Sequence, residues 1–170
     1  KDVKELAAYA RRVGEGDGLF EKIDQLNENR LLKLLTRFEK AVGGWSGKTV
    51  AVLGLSFKPN TDDMREAPSM KVIPLLTAAG AKVSVYDPQA SDSAKKILGD
   101  SVTKYSVNPY EAVKGASALI ILVEWDEFKS LDLTRIKKNM AADAVFIDTR
   151  NLYDPQSIRE AGLKYVGIGR

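Results

Sequence analysis

The chain has 170 residues, of which 44% are apolar and 29% charged, so it can form one well-buried core plus an appended element, as in an ordinary globular protein. It contains no cysteine and no histidine, which excludes a thiol nucleophile, a disulfide, a histidine-based triad and a histidine zinc site within this sequence. The net charge of +3 is small, no apolar run approaches the roughly 20 residues of a membrane helix, and no dense basic tract indicates a nucleic-acid partner.

Two helices are predicted before residue 45. Apolar residues recur at helical spacing in residues 2–13, and a glycine-rich break at 14–18 precedes a second helical pattern over Leu19–Val42. A helix of that length spans about 35 Å at 1.5 Å per residue. Its apolar stripe either packs on the domain core or belongs to a connector helix that supplies a dimer or interdomain surface. Because the sequence begins at Lys1 and enters a helical pattern at once, we expect a piece of a larger protein, and the lack of cysteine fits a cytoplasmic one.

Short apolar segments alternate with helical ones after residue 48. The predicted strands are residues 49–54, 82–86, 102–105, 118–123, 144–148 and 164–168. The predicted helices are residues 70–79, 92–98, 109–114, 131–140 and 155–161, with candidate N-caps at Ser69, Asp132 and Asp154. This alternation predicts an α/β fold: a Rossmann-like, doubly wound and mostly parallel sheet, with residues 118–123 near its centre and the long connector helix before it.

Polar loops follow three of the predicted strands, at residues 57–66, 124–128 and 149–153. Right-handed crossovers place the carboxyl ends of parallel strands along one edge, and ligands of open α/β sheets bind there. The loop after the first strand lacks the glycine fingerprint of dinucleotide sites, because Gly54 stands alone. We therefore expect a ligand at this edge, but no NAD pyrophosphate held in the usual manner.

Three cationic residues in these loops are candidate ligands for a phosphate. Lys58 carries a compact positive charge, with a solvated surface lysine as the alternative interpretation. Arg65 has a planar guanidinium that suits phosphate or ribose recognition. Arg150 either binds a ligand or forms an ion pair with Asp148, which ends the preceding strand.

The adjacent carboxylates of Asp62 and Asp63 allow two interpretations. They could hold Mg²⁺ or accept a phosphoryl group, as in receiver domains, but such acids lie directly at a strand end, and here a stretch of loop intervenes. The favoured interpretation is that they stabilise the turn and pair with Arg65 or Lys58.

Other residues give weaker signals at the same edge. Trp125 and Phe128 could stack on a base or make an ordinary hydrophobic contact. Asp87 ends the second predicted strand, where Rossmann folds often place an acid for a ribose hydroxyl.

Four segments resemble one known family. They are GLSFKPNTDDMREAPS at residues 54–69, VYDP at 85–88, EWDEF at 124–128 and DTRN at 148–151. Together they resemble the C-terminal domain of the nucleotide-sugar dehydrogenases, the UDP-glucose/GDP-mannose dehydrogenase family, and the likeness covers essentially the whole chain. The loop with Pro59-Asn60-Thr61 is most similar to members that oxidise UDP-glucose to UDP-glucuronate.

The resemblance implies a place for this chain in a larger enzyme. Family members have an N-terminal Rossmann domain that binds NAD, a central helix that forms a dimer core, and a C-terminal Rossmann-like domain that binds the nucleotide of the sugar. Residues 1–44 would be the linker and dimerisation helix of a homodimer, and residues 45–170 the UDP-sugar-binding domain. NAD would be bound mainly by the N-terminal domain, which this sequence does not include.

The resemblance also implies a role for individual residues. Family members oxidise the sugar C6 alcohol in two NAD-dependent steps through a cysteine thioester, and Lys1-Asp2 is similar to the end of the motif with that cysteine. Asp2 would then be the catalytic aspartate that activates water, although the chain alone, without the cysteine, should be inactive.

Four further residues match family positions that contact ligands. Phe57, Lys58 and Arg150 would bind the substrate, and Arg65 would reach the NAD side of the cleft, with no metal, nucleic acid or membrane involved. The rival hypotheses are a stand-alone nucleotide-binding or phosphoacceptor module and a purely structural dimerisation piece.

Overall fold

The computed structural model describes residues 2–15 and 18–169, without the side chains of Asp2 and Glu28. The chain forms two compact units, Lys1–Phe38 and Glu39–Arg170. Among the residues described, no helix is long and apolar enough to cross a lipid bilayer.

The first unit consists of helix α1, Asp2–Arg12, and most of helix α2, Leu19–Val42. The bounds of α2 agree with those predicted. Arg11 Nη1 donates a hydrogen bond to Glu21 Oε1 at 3.0 Å and so links the two helices. Several large apolar side chains of this unit are exposed, among them Tyr9, Leu19, Leu26 and Leu32.

The second unit contains a six-stranded sheet in which every neighbouring pair of strands is parallel. The strands are β1 Thr49–Leu53, β2 Lys82–Tyr86, β3 Lys104–Tyr105, β4 Ala118–Ile121, β5 Val145–Asp148 and β6 Lys164–Gly167. Their order is β3-β2-β1-β4-β5-β6, so the order reverses between β1 and β4. The predicted doubly wound α/β fold is confirmed, with β4 in the interior of the sheet.

Six α-helices in the described part of this unit follow or connect the strands. They are α3 Ser69–Ala78, α4 Ser91–Leu98, α5 Pro109–Ala112, α6 Asp126–Lys129, α7 Leu133–Asn139 and α8 Pro155–Glu160. The short helix α6 was not predicted. Every residue of β4 and β5 is buried, which is typical of parallel strands covered by helices on both faces.

Two of the three predicted N-caps are confirmed. The Asp132 carboxylate accepts a hydrogen bond from Arg135 N at the start of α7, and Asp154 accepts one from Ser157 N at the start of α8. The prediction for Ser69 was wrong, because it lies inside α3 and its buried hydroxyl donates to the Leu55 carbonyl. That hydroxyl satisfies a backbone acceptor just beyond β1 rather than the helix start.

Gly54 directly follows β1, at the point where strand order reverses. Its φ of +89° lies in the left-handed region, and a Cβ there would stand 2.6 Å from Val123 Cβ and 2.7 Å from Val123 N. Both the backbone conformation and the close approach of the segment after β4 therefore require glycine.

We predict that Gly54→Ala destabilises the protein more than Gly115→Ala. Gly115 also has a positive φ, +70°, but a Cβ there would meet nothing within 4 Å. Gly115→Ala should cost about 1–2 kcal/mol for the left-handed conformation. Gly54→Ala should cost that amount plus about 1–3 kcal/mol for overpacking against Val123. Urea unfolding of both variants measures the difference, and equal losses would show that the Val123 contact does not constrain this position.

Candidate functional site

The carboxyl ends of four adjacent strands lie level with one another. Leu53 of β1 pairs in register with Tyr86 of β2 and with Ile121 of β4, and Ile121 pairs with Asp148 of β5. The segments that follow these strands therefore emerge side by side, next to the reversal point between β1 and β4. We call this row of strand ends the carboxyl edge.

A buried carboxylate joins three of these segments. Asp87 is 2% exposed, and its Oδ2 accepts hydrogen bonds from Leu55 N at 2.7 Å, Ser56 N at 3.2 Å and Trp125 Nε1 at 3.2 Å. Leu55 and Ser56 follow β1, Asp87 follows β2, and Trp125 lies beyond β4. We call these four residues the Asp87 cluster.

The other carboxylate oxygen of Asp87 is also occupied. Its Oδ1 accepts hydrogen bonds from Gln89 N at 2.9 Å and Ala90 N at 2.7 Å, in the turn that leads into α4. Because backbone and indole donors engage both oxygens, the arrangement favours a structural role for Asp87 over a ribose contact.

The aromatic side chains after β4 are buried rather than presented to a base. Trp125 is 5% exposed and donates its indole N–H to Asp87, while Phe128 is fully buried and packs edge-on against Tyr86 with ring centroids 6.1 Å apart. The structure therefore supports the hydrophobic-contact interpretation of both residues.

Burial of the Tyr86 phenol, followed by its hydrogen bond to Glu127, raises the pKa of Tyr86 to about 12.

The first part of the loop between β1 and α3 forms a closed turn. Phe57 N donates to the Asp63 carbonyl at 2.8 Å, and the Ser56 hydroxyl donates to the Lys58 carbonyl at 2.9 Å. Asn60, at the tip, has a φ of +61°. The Phe57 ring is about half exposed, and the Lys58 ammonium makes no ion pair with any residue that the structure describes. The turn thus presents an aromatic ring and a cation at the carboxyl edge.

The second part of this loop is held by an internal ion pair. Arg65 Nη2 lies 2.8 Å from Asp63 Oδ2, and Arg65 N donates to Asp63 Oδ1 at 2.9 Å, which confirms the predicted pairing. The hydrogen bond from Arg65 to Asp63 raises the pKa of the guanidinium. Asp62 Oδ2 lies 3.4 Å from the Ser93 hydroxyl. This geometry supports the turn-stabilising interpretation over a phosphoacceptor site.

Arg150 forms an ion pair with a residue that the sequence did not suggest. Arg150 Nε donates to Glu124 Oε2, and both side chains are a little over one-third exposed. The hydrogen bond from Arg150 lowers the pKa of Glu124 below its ordinary value. The ion pair with Asp148, the alternative interpretation of Arg150, does not form, because Asp148 instead accepts hydrogen bonds from the backbone N–H groups of Arg150 and Tyr153, at 3.1 and 3.0 Å. We call the new contact the Glu124–Arg150 pair.

The structure brings three of the five proposed site residues to the carboxyl edge. Phe57 and Lys58 follow β1, Arg150 follows β5, and Arg65 lies farther along the first of these loops with its side chain mostly exposed. The side chain of Asp2 lies outside the described residues.

The segment after β1 does not fit a dinucleotide held in the usual manner. That manner requires a tight glycine turn followed at once by a helix N-terminus, and here residues 54–68 separate β1 from α3. This finding agrees with the sequence analysis, in which Gly54 stands alone.

Comparison with known proteins identifies the family. The model described as "UDP-glucose/GDP-mannose dehydrogenase family, UDP binding domain" matches residues 51–155. The chain belongs to the UDP-glucose/GDP-mannose dehydrogenase family. It is 37% identical over its whole length to UDP-glucose 6-dehydrogenase TuaD of Bacillus subtilis and 40% identical to UDP-glucose 6-dehydrogenase of Rhizobium meliloti. It spans only 36% and 38% of those two proteins.

Solved structures of dehydrogenases share the fold. A UDP-glucose dehydrogenase from Pyrobaculum islandicum superposes with a TM-score of 0.78 at 30% identity, covering 97% of this chain and 35% of that one. An NDP-N-acetyl-D-galactosaminuronic acid dehydrogenase from Methanosarcina mazei gives a TM-score of 0.70 at 31% identity, covering 89% and 31%. Like the curated relatives, both structures are about three times as long as this member of the UDP-glucose/GDP-mannose dehydrogenase family.

We predict that the pKa of Glu124 rises when its partner is removed. Because Arg150 stabilises the charged carboxylate, the pKa should lie below its ordinary value in the wild type and move up toward that value in Arg150→Ala. The pair therefore stabilises the fold above the ordinary glutamate pKa of about 4.3, and this contribution is lost as the pH falls through the folded-state pKa. Carboxyl NMR titration measures both values.

Glu111 is the matched control for that titration. Its pKa is also lowered, by a hydrogen bond from Lys104 on the outermost strand β3, and it should not respond to Arg150→Ala. A Glu124 pKa that is the same in wild type and Arg150→Ala would contradict the Glu124–Arg150 pair.

Proposed function

We propose that this chain is the UDP-sugar-binding part of an NAD-dependent UDP-glucose 6-dehydrogenase, which oxidises UDP-glucose to UDP-glucuronate. One observation carries the proposal: Phe57, Lys58 and Arg150 all lie at the carboxyl edge, next to the point where strand order reverses. Ligands of open α/β sheets bind at such points. The choice of UDP-glucose is supported by the names of the relatives that match the whole chain.

Each of the three residues suits one part of the ligand. The Lys58 ammonium, which has no ion pair among the described residues, supplies a point charge for an oxygen of the diphosphate. Arg150 has five N–H donors in a planar fork and uses Nε for Glu124, so its other donors can reach a phosphate or ribose oxygen. The half-exposed Phe57 ring offers a flat apolar face for the uracil.

The roles of the remaining residues extend this proposal to the whole enzyme. Asp2 would be the catalytic aspartate that activates water, and Arg65 would contact NAD, which supplies the hydride acceptor and is held mainly by another domain. Since the chain has no cysteine, it should not form the thioester by itself.

A homodimer formed through α2 is part of the same proposal. Residues 1–44 would be the linker and dimerisation helix, and residues 45–170 the UDP-sugar-binding domain. The exposed apolar side chains of Leu19, Leu26 and Leu32 on α2 support an interface role for this helix.

We predict that calorimetric titration detects binding of UDP-glucose and weaker binding of GDP-mannose, because the site would fit the smaller pyrimidine. Lys58→Ala and Arg150→Ala should each lose about 1.5–3 kcal/mol of binding free energy, the usual value of a charge-assisted hydrogen bond, or about 10- to 150-fold in Kd.

Two variants serve as controls. Lys82→Ala removes an exposed cation at the start of β2, away from the carboxyl edge, and should leave the affinity unchanged. Arg65→Ala should also keep its affinity for UDP-glucose, since this residue is assigned to the NAD side. Wild-type affinity in both Lys58→Ala and Arg150→Ala would remove these residues from the site and contradict the proposal.

A further inference from the structure

The Asp87 cluster lies beside the proposed ligand-binding residues without including any of them. Ser56 immediately precedes Phe57 and Lys58, and Trp125 immediately follows Glu124, the partner of Arg150. The buried Asp87 carboxylate is therefore the point at which the two sides of the proposed site are connected by hydrogen bonds.

On the first side, the connection runs through Ser56. Its backbone N–H donates to Asp87 Oδ2 at 3.2 Å, and its hydroxyl lies 3.3 Å from the same oxygen and 2.9 Å from the Lys58 carbonyl. Leu55 N adds a shorter bond of 2.7 Å to Asp87. These bonds fix the backbone on which the Phe57 ring and the Lys58 ammonium are carried.

On the second side, the connection runs through Trp125. The indole is 5% exposed, and its side-chain N–H donates to Asp87 Oδ2 at 3.2 Å. With this side chain held in place, the backbone of the preceding Glu124 is restrained, and Glu124 in turn orients Arg150 by the Glu124–Arg150 pair.

We propose that Asp87 is a positioning residue for ligand binding, whose carboxylate holds the Phe57–Lys58 turn and the Glu124–Arg150 pair at a fixed spacing across the reversal point between β1 and β4. The inference rests on the proposed function, since it concerns the same ligand. A site whose charged groups are already spaced for the ligand loses less conformational freedom on binding, and so binds more tightly.

The arrangement requires a carboxylate rather than a side-chain amide. Three N–H donors point at Oδ2 and two at Oδ1, so both positions must be acceptors. Asp87→Asn keeps the size of the side chain but turns an NH₂ donor toward one of these groups of donors. The variant should therefore lose the hydrogen bonds either to the segments after β1 and β4 or to the turn before α4.

The test compares UDP-glucose affinity in Asp87→Asn, Trp125→Phe and the wild type by calorimetry. Asp87→Asn should raise Kd at least about tenfold, and Trp125→Phe, which keeps an aromatic ring but loses the N–H donor, should raise it severalfold. Trp125→Phe also keeps the test valid if Asp87→Asn does not fold. Ile158→Val, a core change on α8 outside the cluster, should lower thermal stability but leave Kd unchanged.

Two further readouts separate positioning from general destabilisation. In a double-mutant cycle, Asp87→Asn should raise Kd less in the Lys58→Ala background than in the wild type, because the part of its effect that acts through Lys58 is already lost there. In NMR spectra, the indole N–H signal of Trp125 should shift in Asp87→Asn, while that of Trp45 should remain in place.

The outcomes distinguish this inference from the proposed function. If the wild type binds UDP-glucose and the folded Asp87→Asn and Trp125→Phe variants bind it equally well, Asp87 is not a positioning residue, although the proposed function stands. Additive losses in the cycle would also overturn the inference. If the wild type does not bind UDP-glucose, the proposed function fails and the inference fails with it.

Discussion

The carboxylate of Asp87, buried at the reversal point of the sheet, is the constraint on which the rest of this site depends. A buried charge is costly unless it is hydrogen-bonded, and here five N–H donors from the segments after β1, β2 and β4 converge on its two oxygens. The same bonds that stabilise the charge fix the course of the chain at the ends of three strands. The need to satisfy one anion thus sets how the segments after β1, β2 and β4 lie relative to one another at the carboxyl edge.

The proposed ligand-binding groups near Asp87 have different electrostatic surroundings. Arg150 and Arg65 are each paired with a nearby carboxylate, whereas Lys58 has no such partner among the described residues. A partly exposed ion pair of this kind contributes only about 0–1 kcal/mol. Arg150 uses only Nε in it, so its other N–H donors stay available for a ligand while Glu124 remains bound. The pair can therefore orient the arginine without preventing its use by a ligand.

Helix bounds and N-caps that depend on residues close together in the sequence could be predicted. Side-chain contacts between segments that are distant in the sequence could not. The period of apolar residues gave the bounds of Leu19–Val42, and the position of Asp154 before a proline gave a correct N-cap. Ser69 was assigned wrongly because its hydroxyl bonds Leu55, far away in sequence. The pairing of Glu124 with Arg150 was missed for the same reason, since it exists only because β4 and β5 are neighbours. The sequence did contain a signal for this pair, because an acid and an arginine follow the ends of two successive predicted strands.

The most direct test of the central claim, that a UDP-sugar binds at the carboxyl edge, is a titration of this ¹⁵N-labelled chain with UDP-glucose, followed by amide chemical shifts. The account predicts that the largest shifts occur at Phe57, Lys58 and Arg150, with smaller ones at the donors to Asp87. Amides at the opposite edge, such as those of Thr49 and Lys82 at the paired amino ends of β1 and β2, should not move. Shifts concentrated at that opposite edge, with none at Lys58 or Arg150, would contradict it.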